Sequence, residues 1–449
     1  MTPTVQSLYG LNEPTQVLLH WRVHLVTGYA RNVLRIKELR AQPITKCAVN
    51  ATKLSPAHLG VVAILLSCLP ARAWTETGTV DPPWIRVAVV RQQPQIDLAV
   101  HGRFRIVSRM TAESLREGER LQKVAVRATP EGIVLGTDML PQGGVRIEPA
   151  RDATINLNGQ RLRGALEILQ QQDATLLVVN HVDLEDYLRG VLSKEAPHDW
   201  PLEALKAIAI AARTYALFQR LSKSTVEYDV TGDVLSQVYG GKTAERGKTS
   251  RAVRTTEGLI LVYQNKIFPT FYHSTCGGVT EHASVMGPFN LEPLAGRIAC
   301  SLCVESPFYR WRQVLTKADV AWAVKQQGRG SIWPVEDIEI ATYSPTGRIA
   351  QLRIRGATRS LLLSGYEFRQ LFGFARLRST AFAIVREEDA FVLQGRGWGH
   401  GVGLCQWGAR ELARRGFFAH QILAFYYPNA RLVRLGEMPL EPILVQGGS

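Results

Sequence analysis

"SKEAPHDWPLEALKAIAIAARTYAL", residues 193–217, decides the fold. It places one glutamate, Glu195, just before a proline break and then runs into a long alanine-rich helix with few charges. Upstream, "VDLEDYLRGVLSKEA" sets Leu184, Tyr187, Leu188, Val191 and Leu192 at i, i+3, i+4, i+7 and i+8, a single apolar helical face. Pro197 ends that helix, because the residue before a proline leaves the α region. Pro201 stands where a first-turn proline belongs, with Asp199 nearby as a cap, so a second helix runs from about 201 to 221. Leu205, Ile208 and Ala212 form one buried face, and Lys206, Ala209 and Arg213 form an adjacent stripe. Nearly every other position is small or apolar. The second helix is therefore expected to be buried on most sides, with its two cations pointing the same way.

Around these helices the pattern changes. Residues 84–180 carry short β-branched runs ("WIRVAVV", "FRIVSR", "TLLVVN") separated by Gly, Pro and Asn, and read as strands. Residues 223–312 read as loops and strands, 314–326 as a helix, and strands return from about 335. The last helix is expected near 404–415. The order describes an α+β fold: a mixed β-rich body, a central helical segment carrying Glu195, and a β-rich accessory subdomain. The division is 1–73 as an N-terminal extension with a leader, 74–180 as a β-rich part and 181–312 as the core. The accessory subdomain is 313–390, a C-terminal core segment is 391–435, and 436–449 is a tail.

The formal net charge is +14. Eight Lys/Arg and two Asp/Glu fall in residues 1–73, which leaves 14 − 6 = +8 for residues 74–449. Such a surface suits an acidic polymer, either nucleic acid or bacterial wall glycan with acidic stem peptides. No zinc-finger, RNP or basic-zipper pattern occurs, so nucleic acid is not expected as a partner. "HLGVVAILLSCLPARAW", residues 58–74, follows Lys53 with a short apolar run and an Ala71-Arg72-Ala73 site. This is the pattern of a secretory signal peptide, and the run is too short for a stable membrane span. Its position suggests a true start near Val49. A buried helix and a lipoprotein site at Cys68 are the alternatives, although Leu66 fits the latter poorly. The expected location is exported, in the periplasm or cell envelope.

Glu195 lies at the C-terminal end of its helix, where the dipole disfavours a carboxylate, and apolar neighbours push its pKa the same way. A carboxyl kept protonated suits general acid catalysis of glycosidic cleavage, and Lys206 and Arg213 could hold groups of a sugar chain. The plainer alternative is a simple ion pair between Glu195 and one of these cations. "GRGWGHGVGLCQWGAR", residues 395–410, surrounds His400 with glycines that allow close backbone approach to a ligand, and Trp398 and Trp407 could stack on sugar rings. Its spacing matches neither a P-loop nor a dinucleotide motif. "FYHSTCGG", residues 271–278, and "CSLC", residues 300–303, supply Cys276, Cys300 and Cys303, with His273 or the rival His282 as a fourth ligand. That set reads as a structural zinc site, a disulfide or a reactive thiol. Cys47 and Cys68 lie in or before the leader, and Cys405 has no evident partner.

These stretches, together with "SQVYGG" (236–241), "SPTGRIAQLRIRG" (344–356) and "SGYEFRQLFG" (364–373), occur in the order seen in the SpoIID/LytB family. The chain resembles that family over roughly 84–435. The family includes stage II sporulation protein D and amidase enhancers. The resemblance implies a peptidoglycan lytic transglycosylase with Glu195 as the single acid/base and no cofactor needed for catalysis. It also implies Lys206, Arg213, Gln237, Tyr239, His273, Ser274, His400 and Gln406 around the glycan cleft. The alternative is a glycan-binding enhancer of a cell-wall amidase. An ordinary hydrolase would need a second carboxylate such as Asp199 or Asp233. Two departures stand out. Ile208 replaces the family's usual helix Gln, and Thr231 and Ser236 occupy the place where some members carry zinc-binding cysteines.

Overall fold

The computed structural model describes residues 83–140, 143–222, 227–233 and 236–443. The leader and the alternative start site lie outside these residues. The fold is α+β, as expected, with seven α-helices among the described residues.

The first layer is a large, mostly antiparallel sheet from residues 84–183. Strand Trp84–Gln93 lies between Leu176–Asp183 and, in parallel, the short Val230–Thr231. The sheet continues through Ala165–Gln170, Val145–Pro149 and the long Gln95–Ser108 to Ser114–Thr129. Alternation turns Ile85, Val87, Val178 and Leu166 towards the helices, all fully buried. The sheet passes into the helical segment without a loop. Asp183 ends its strand and caps helix α1 (Leu184–Glu195), its Oδ1 accepting from the Glu185 and Asp186 N–H groups at 2.9 and 3.1 Å.

Helix α1 buries the face its periodicity foretold, and Ala196 is extended before Pro197. Helix α2 (Leu202–Ser222) is enclosed on most sides, with thirteen buried residues. It packs on α1, on helix α3 (Gly247–Thr255) and on strand Leu259–Tyr263. Helix α3 lies where the sequence read as loops and strands; only Thr249, Ala252 and Val253 are buried, and just two of these are apolar.

Residues 310–396 form an accessory unit with its own core of Leu315, Val320, Ile338, Leu352, Phe368 and Leu393. Two three-stranded sheets, helix α4 (Lys317–Gln326) and helix α5 (Gly365–Phe372) enclose it. The boundaries drawn at 313 and 390 cut into paired strands, because Arg310–Thr316 and Ala390–Arg396 run antiparallel from end to end. The chain then returns to the body. Leu404–Cys405 pairs with Tyr272–His273, and helices α6 (Gln406–Arg414) and α7 (Ala419–Tyr426) pack on α2. The single helix expected over 404–415 is thus followed by a second, α7. Among the described residues no helix is long and apolar enough to cross a membrane.

One buried ion pair ties the helices together. Arg213, fully buried on α2, donates from Nε and Nη2 to the two carboxylate oxygens of Glu185 on α1, both at 2.7 Å. Its Nη1 donates to the Leu259 carbonyl at 3.1 Å, and Glu185 also accepts from Gly258 N–H at 3.2 Å. Arg213 therefore does not line a cleft, and the shared stripe with Lys206 does not give the two cations a common destination. Lys206 pairs with Glu203 one turn back at 2.7 Å. Truncation of Arg213 would strand the Glu185 carboxylate in the core. Arg213→Ala is expected to destabilise the fold by about 3–5 kcal/mol, and Arg213→Lys, which loses the bidentate geometry, by less. Denaturant unfolding of both variants checks the order.

Candidate active site and cysteine cluster

Glu195 is the last residue of α1, where the chain leaves the helix for the Pro197 turn. Its Oε1 accepts from the Val238 N–H at 2.9 Å and its Oε2 from the Gln406 side-chain amide at 3.4 Å. Burial pushes its pKa up to about 7, against the lowering effect of these two hydrogen bonds. The residue as a whole is only partly buried, while its carboxyl is desolvated. It bonds to neither Lys206 nor Arg213, whose carboxylate partners are Glu203 and Glu185. The simple ion-pair alternative therefore does not describe it.

A tyrosine wall stands next to Glu195. Burial first, and the nearby Glu195 charge among the further causes, raise the phenol pKa values of Tyr187, Tyr215 and Tyr272. All three stay neutral hydrogen-bonding groups. Gln237 orients two of them: it accepts from Tyr187 Oη at 2.9 Å and donates to Tyr272 Oη at 2.8 Å and to the Ala212 carbonyl at 3.2 Å. Gln237 is fully buried, so it acts on the site through the tyrosines. Tyr239 is buried too, with its hydroxyl on Asn180. What "SQVYGG" brings to Glu195 directly is a backbone N–H, which side-chain reasoning does not reveal. Tyr215 and Tyr272 lie inside the quoted motifs, but no spacing pattern there marks a tyrosine as part of a site.

The Gly-rich segment lies against the "FYHSTCGG" segment. Thr275 and Trp398 exchange backbone hydrogen bonds, and Tyr272–His273 pairs in parallel with Leu404–Cys405. The glycines serve this contact between backbones. A Cβ on Gly403 would sit 2.0 Å from the Phe271 oxygen, and one on Gly399 would lie 2.6 Å from the His273 Cβ. His400 accepts from the Val402 N–H at Nδ1 and so donates from Nε2 to the Tyr272 carbonyl, both at 3.0 Å. His273 donates from Nδ1 to the Val402 carbonyl at 3.0 Å. Burial drives both imidazole pKa values down, that of His273 to about 3, so both rings are neutral with fixed tautomers. They brace the wall beside Gln406. Ser274 is partly exposed, and its carbonyl accepts from the Trp407 N–H at 3.1 Å. Trp407 packs edge-on against Trp200, with Arg410 over its ring, whereas Trp398 packs against Phe308 and Arg378.

The cysteines gather in one place, with a different fourth member from the histidines proposed for it. The sulfurs of Cys276, Cys300, Cys303 and Cys405 all lie within 4.8 Å of one another. Neither His273 nor His282 places a ring nitrogen in this group of four, and each uses its Nδ1 in a backbone contact, to the Val402 carbonyl and from the Ser284 N–H. Cys405 completes the set, although it lies about a hundred residues from its nearest partner in sequence. Of the two carboxylates considered for a hydrolase, Asp199 is exposed and Asp233 pairs with Arg91 at 2.7 Å.

A family model described as "Stage II sporulation protein" (SpoIID) matches residues 172–263, the segment holding Glu195, Arg213 and Gln237. A domain of unknown function, DUF8618, matches residues 303–403, which brackets the accessory unit. An uncharacterised protein of Brachyspira hyodysenteriae is 32% identical over 73% of this chain and 84% of its own length. Stage II sporulation protein D of Bacillus subtilis is 30% identical over 57% of this chain and 75% of its own. The amidase enhancer of the same organism is 28% identical over 55% of this chain and 40% of its own.

The raised Glu195 pKa has a thermodynamic signature. Folding holds the proton up to about pH 7, whereas the unperturbed group loses it near 4.5. The fold is therefore favoured most below 4.5 and loses that advantage as pH rises towards 7. Glu195→Gln removes the ionisation. It is expected to leave stability nearly unchanged at pH 4.5 and to raise it at pH 8 by something on the order of 3 kcal/mol. Denaturant midpoints of the two proteins at these pH values measure the difference.

Proposed function

We propose that this chain, which belongs to the SpoIID/LytB family, is an exported peptidoglycan lytic transglycosylase that uses Glu195 as its single acid/base. The observation that carries the reading is a carboxyl whose pKa is raised to about 7 and which, among the described residues, no second carboxylate contacts through a hydrogen bond. Near neutral pH such a group exists in both protonation states, as a residue acting twice requires.

In the first half of the reaction Glu195 gives its proton to the oxygen bridging N-acetylmuramic acid and N-acetylglucosamine, and the bond from that oxygen to C1 breaks. The resulting carboxylate then accepts the proton of the muramic C6 hydroxyl as that oxygen bonds to C1. The product is a 1,6-anhydromuramic end, and no water is consumed. A hydrolase needs a second carboxylate to activate or replace water; this reaction does not. Val238 N–H and Gln406 stabilise the carboxylate formed midway, which keeps the pKa from rising further. The basic surface and the export expected from the leader both suit an acidic wall polymer.

A second reading rests on the Bacillus subtilis relative named as an amidase enhancer. Here the chain binds glycan and stimulates a separate cell-wall amidase without itself cutting sugar bonds. Mass spectrometry of purified glycan strands, with and without stem peptides, separates the two. The transglycosylase reading expects anhydromuramic ends with the wild type, and a loss of at least about a hundredfold in Glu195→Gln. It also expects kcat/KM to decline as pH rises through about 7, as the acid form of Glu195 is titrated away. Reducing ends would establish a hydrolase instead. Glycan binding without cleavage, with amidase stimulation that persists in Glu195→Gln, would establish the enhancer.

A further inference from the structure

The buried cysteine cluster is not used by the reaction proposed above. Its four residues come from three segments. Cys276 follows strand Tyr272–His273, Cys300 and Cys303 flank a single 3-10 turn, and Cys405 ends the short strand just before α6. All four are buried. Cys276 Sγ lies 3.4 Å from Cys303 Sγ, and all four sulfurs fall within 4.8 Å of one another. A disulfide would bring one pair to about 2.0 Å. Four thiolates around a tetrahedral zinc ion, each about 2.3 Å from the metal, stand a little under 4 Å from one another. The 3.4 Å contact and the 4.8 Å upper limit bracket that spacing.

The surroundings favour thiolates. The Cys276 N–H points to Cys405 Sγ at 3.3 Å and the Gly278 N–H to Cys276 Sγ at 3.4 Å. The Tyr426 hydroxyl lies 3.2 Å from Cys300 Sγ. Beside the cluster is a buried cation, Arg348, which faces the buried Glu281 carboxylate as well as Cys276 and Cys405. Arg348 is 2% exposed and donates from Nη2 to the Cys276 carbonyl at 2.5 Å. Its Nε and Nη1 have no hydrogen-bond partner among the described residues. Glu281 supplies one compensating charge for this buried guanidinium, and thiolates at Cys276 and Cys405 would add to it. Four thiolates around a divalent ion leave two excess negative charges.

We propose that Cys276, Cys300, Cys303 and Cys405 hold one structural zinc ion, with Arg348 offsetting the charge of the centre. Binding displaces the thiol protons to solvent and involves no change of oxidation state. All four positions around the metal are filled by protein, so the ion takes no part in bond cleavage. Its effect is to pin two segments of the candidate site: Cys276 lies three residues beyond His273, and Cys405 directly precedes Gln406, which contacts Glu195. This assignment does not depend on the transglycosylase reading.

The test is metal analysis of the full-length chain purified without chelator, together with thiol counting and intact mass. The expected result is about one zinc per chain, released when the thiols are titrated with a mercurial. Exchange with cobalt should give intense thiolate-to-cobalt absorption with the bands of a tetrahedral centre. Cys405→Ser should lose the metal. Because that variant could also lose its fold, Arg348→Met gives an independent reading: it should retain the site but weaken zinc retention roughly tenfold to a hundredfold. A disulfide between any two of these four cysteines, located by peptide mapping, would overturn the assignment. So would bound iron with visible charge-transfer absorption, or all four of these thiols free on a metal-free protein.

Discussion

The bidentate contact between Arg213 and Glu185 is the constraint on which the rest depends. It joins the first turn of α1 to the middle of α2, and through Leu259 and Gly258 it fixes where the next strand begins. With the start of α1 held there and capped by Asp183, the far end of the same helix delivers Glu195 to one place. A charge pair in so apolar a setting gives little net stability compared with well-packed hydrophobic side chains. What it supplies is a defined geometry between two helices whose surfaces are otherwise mostly alanine and leucine, which could slide past one another.

The two helices and the N-terminal strands were legible because their information is local. Apolar spacing, a proline break and alternation in β-branched runs each act over a few residues. The role of Arg213 was not legible, since a helical stripe specifies a direction but not the neighbour found there. Arg213 meets Glu185, whereas Lys206, two turns earlier, meets Glu203 on its own helix. Cys405 went unmatched for the same reason: C-x2-C spacing is visible in a sequence, and a ligand on another strand is not. Helix α3 was missed because three buried positions among basic residues make too weak a pattern. The Gly-rich segment was noticed correctly but given the wrong partner. Its glycines admit the neighbouring strand of the protein itself, and that strand carries His273 and Ser274.

A division of labour follows. Among the described residues Glu195 has two hydrogen-bond donors: one backbone N–H and one side-chain amide. Gln237 orders the tyrosines, and the histidines, held neutral by burial, brace the strands behind Gln406. The accessory unit reaches this wall as well. Ser344 and Thr346 donate to Glu281 at 2.5 Å, and Arg348, beyond the same turn, donates to Cys276. Much of what makes the motifs recognisable is thus support for a single carboxyl.

The placement of the accessory unit also bears on how the chain reaches this state. Tyr272–His273 and Leu404–Cys405 must meet across an intervening segment of about 130 residues, and parallel pairing over such a span is slow to form. Within that segment Arg310 and Arg396 are paired neighbours at the base of a unit with its own core. Once that unit has folded, the flexible span shrinks to about a third of its length, and the entropy cost of closing it falls by about 1 kcal/mol. An insertion that folds ahead of the body would act as a clasp, bringing together the two halves of a wall that its presence in the chain had separated.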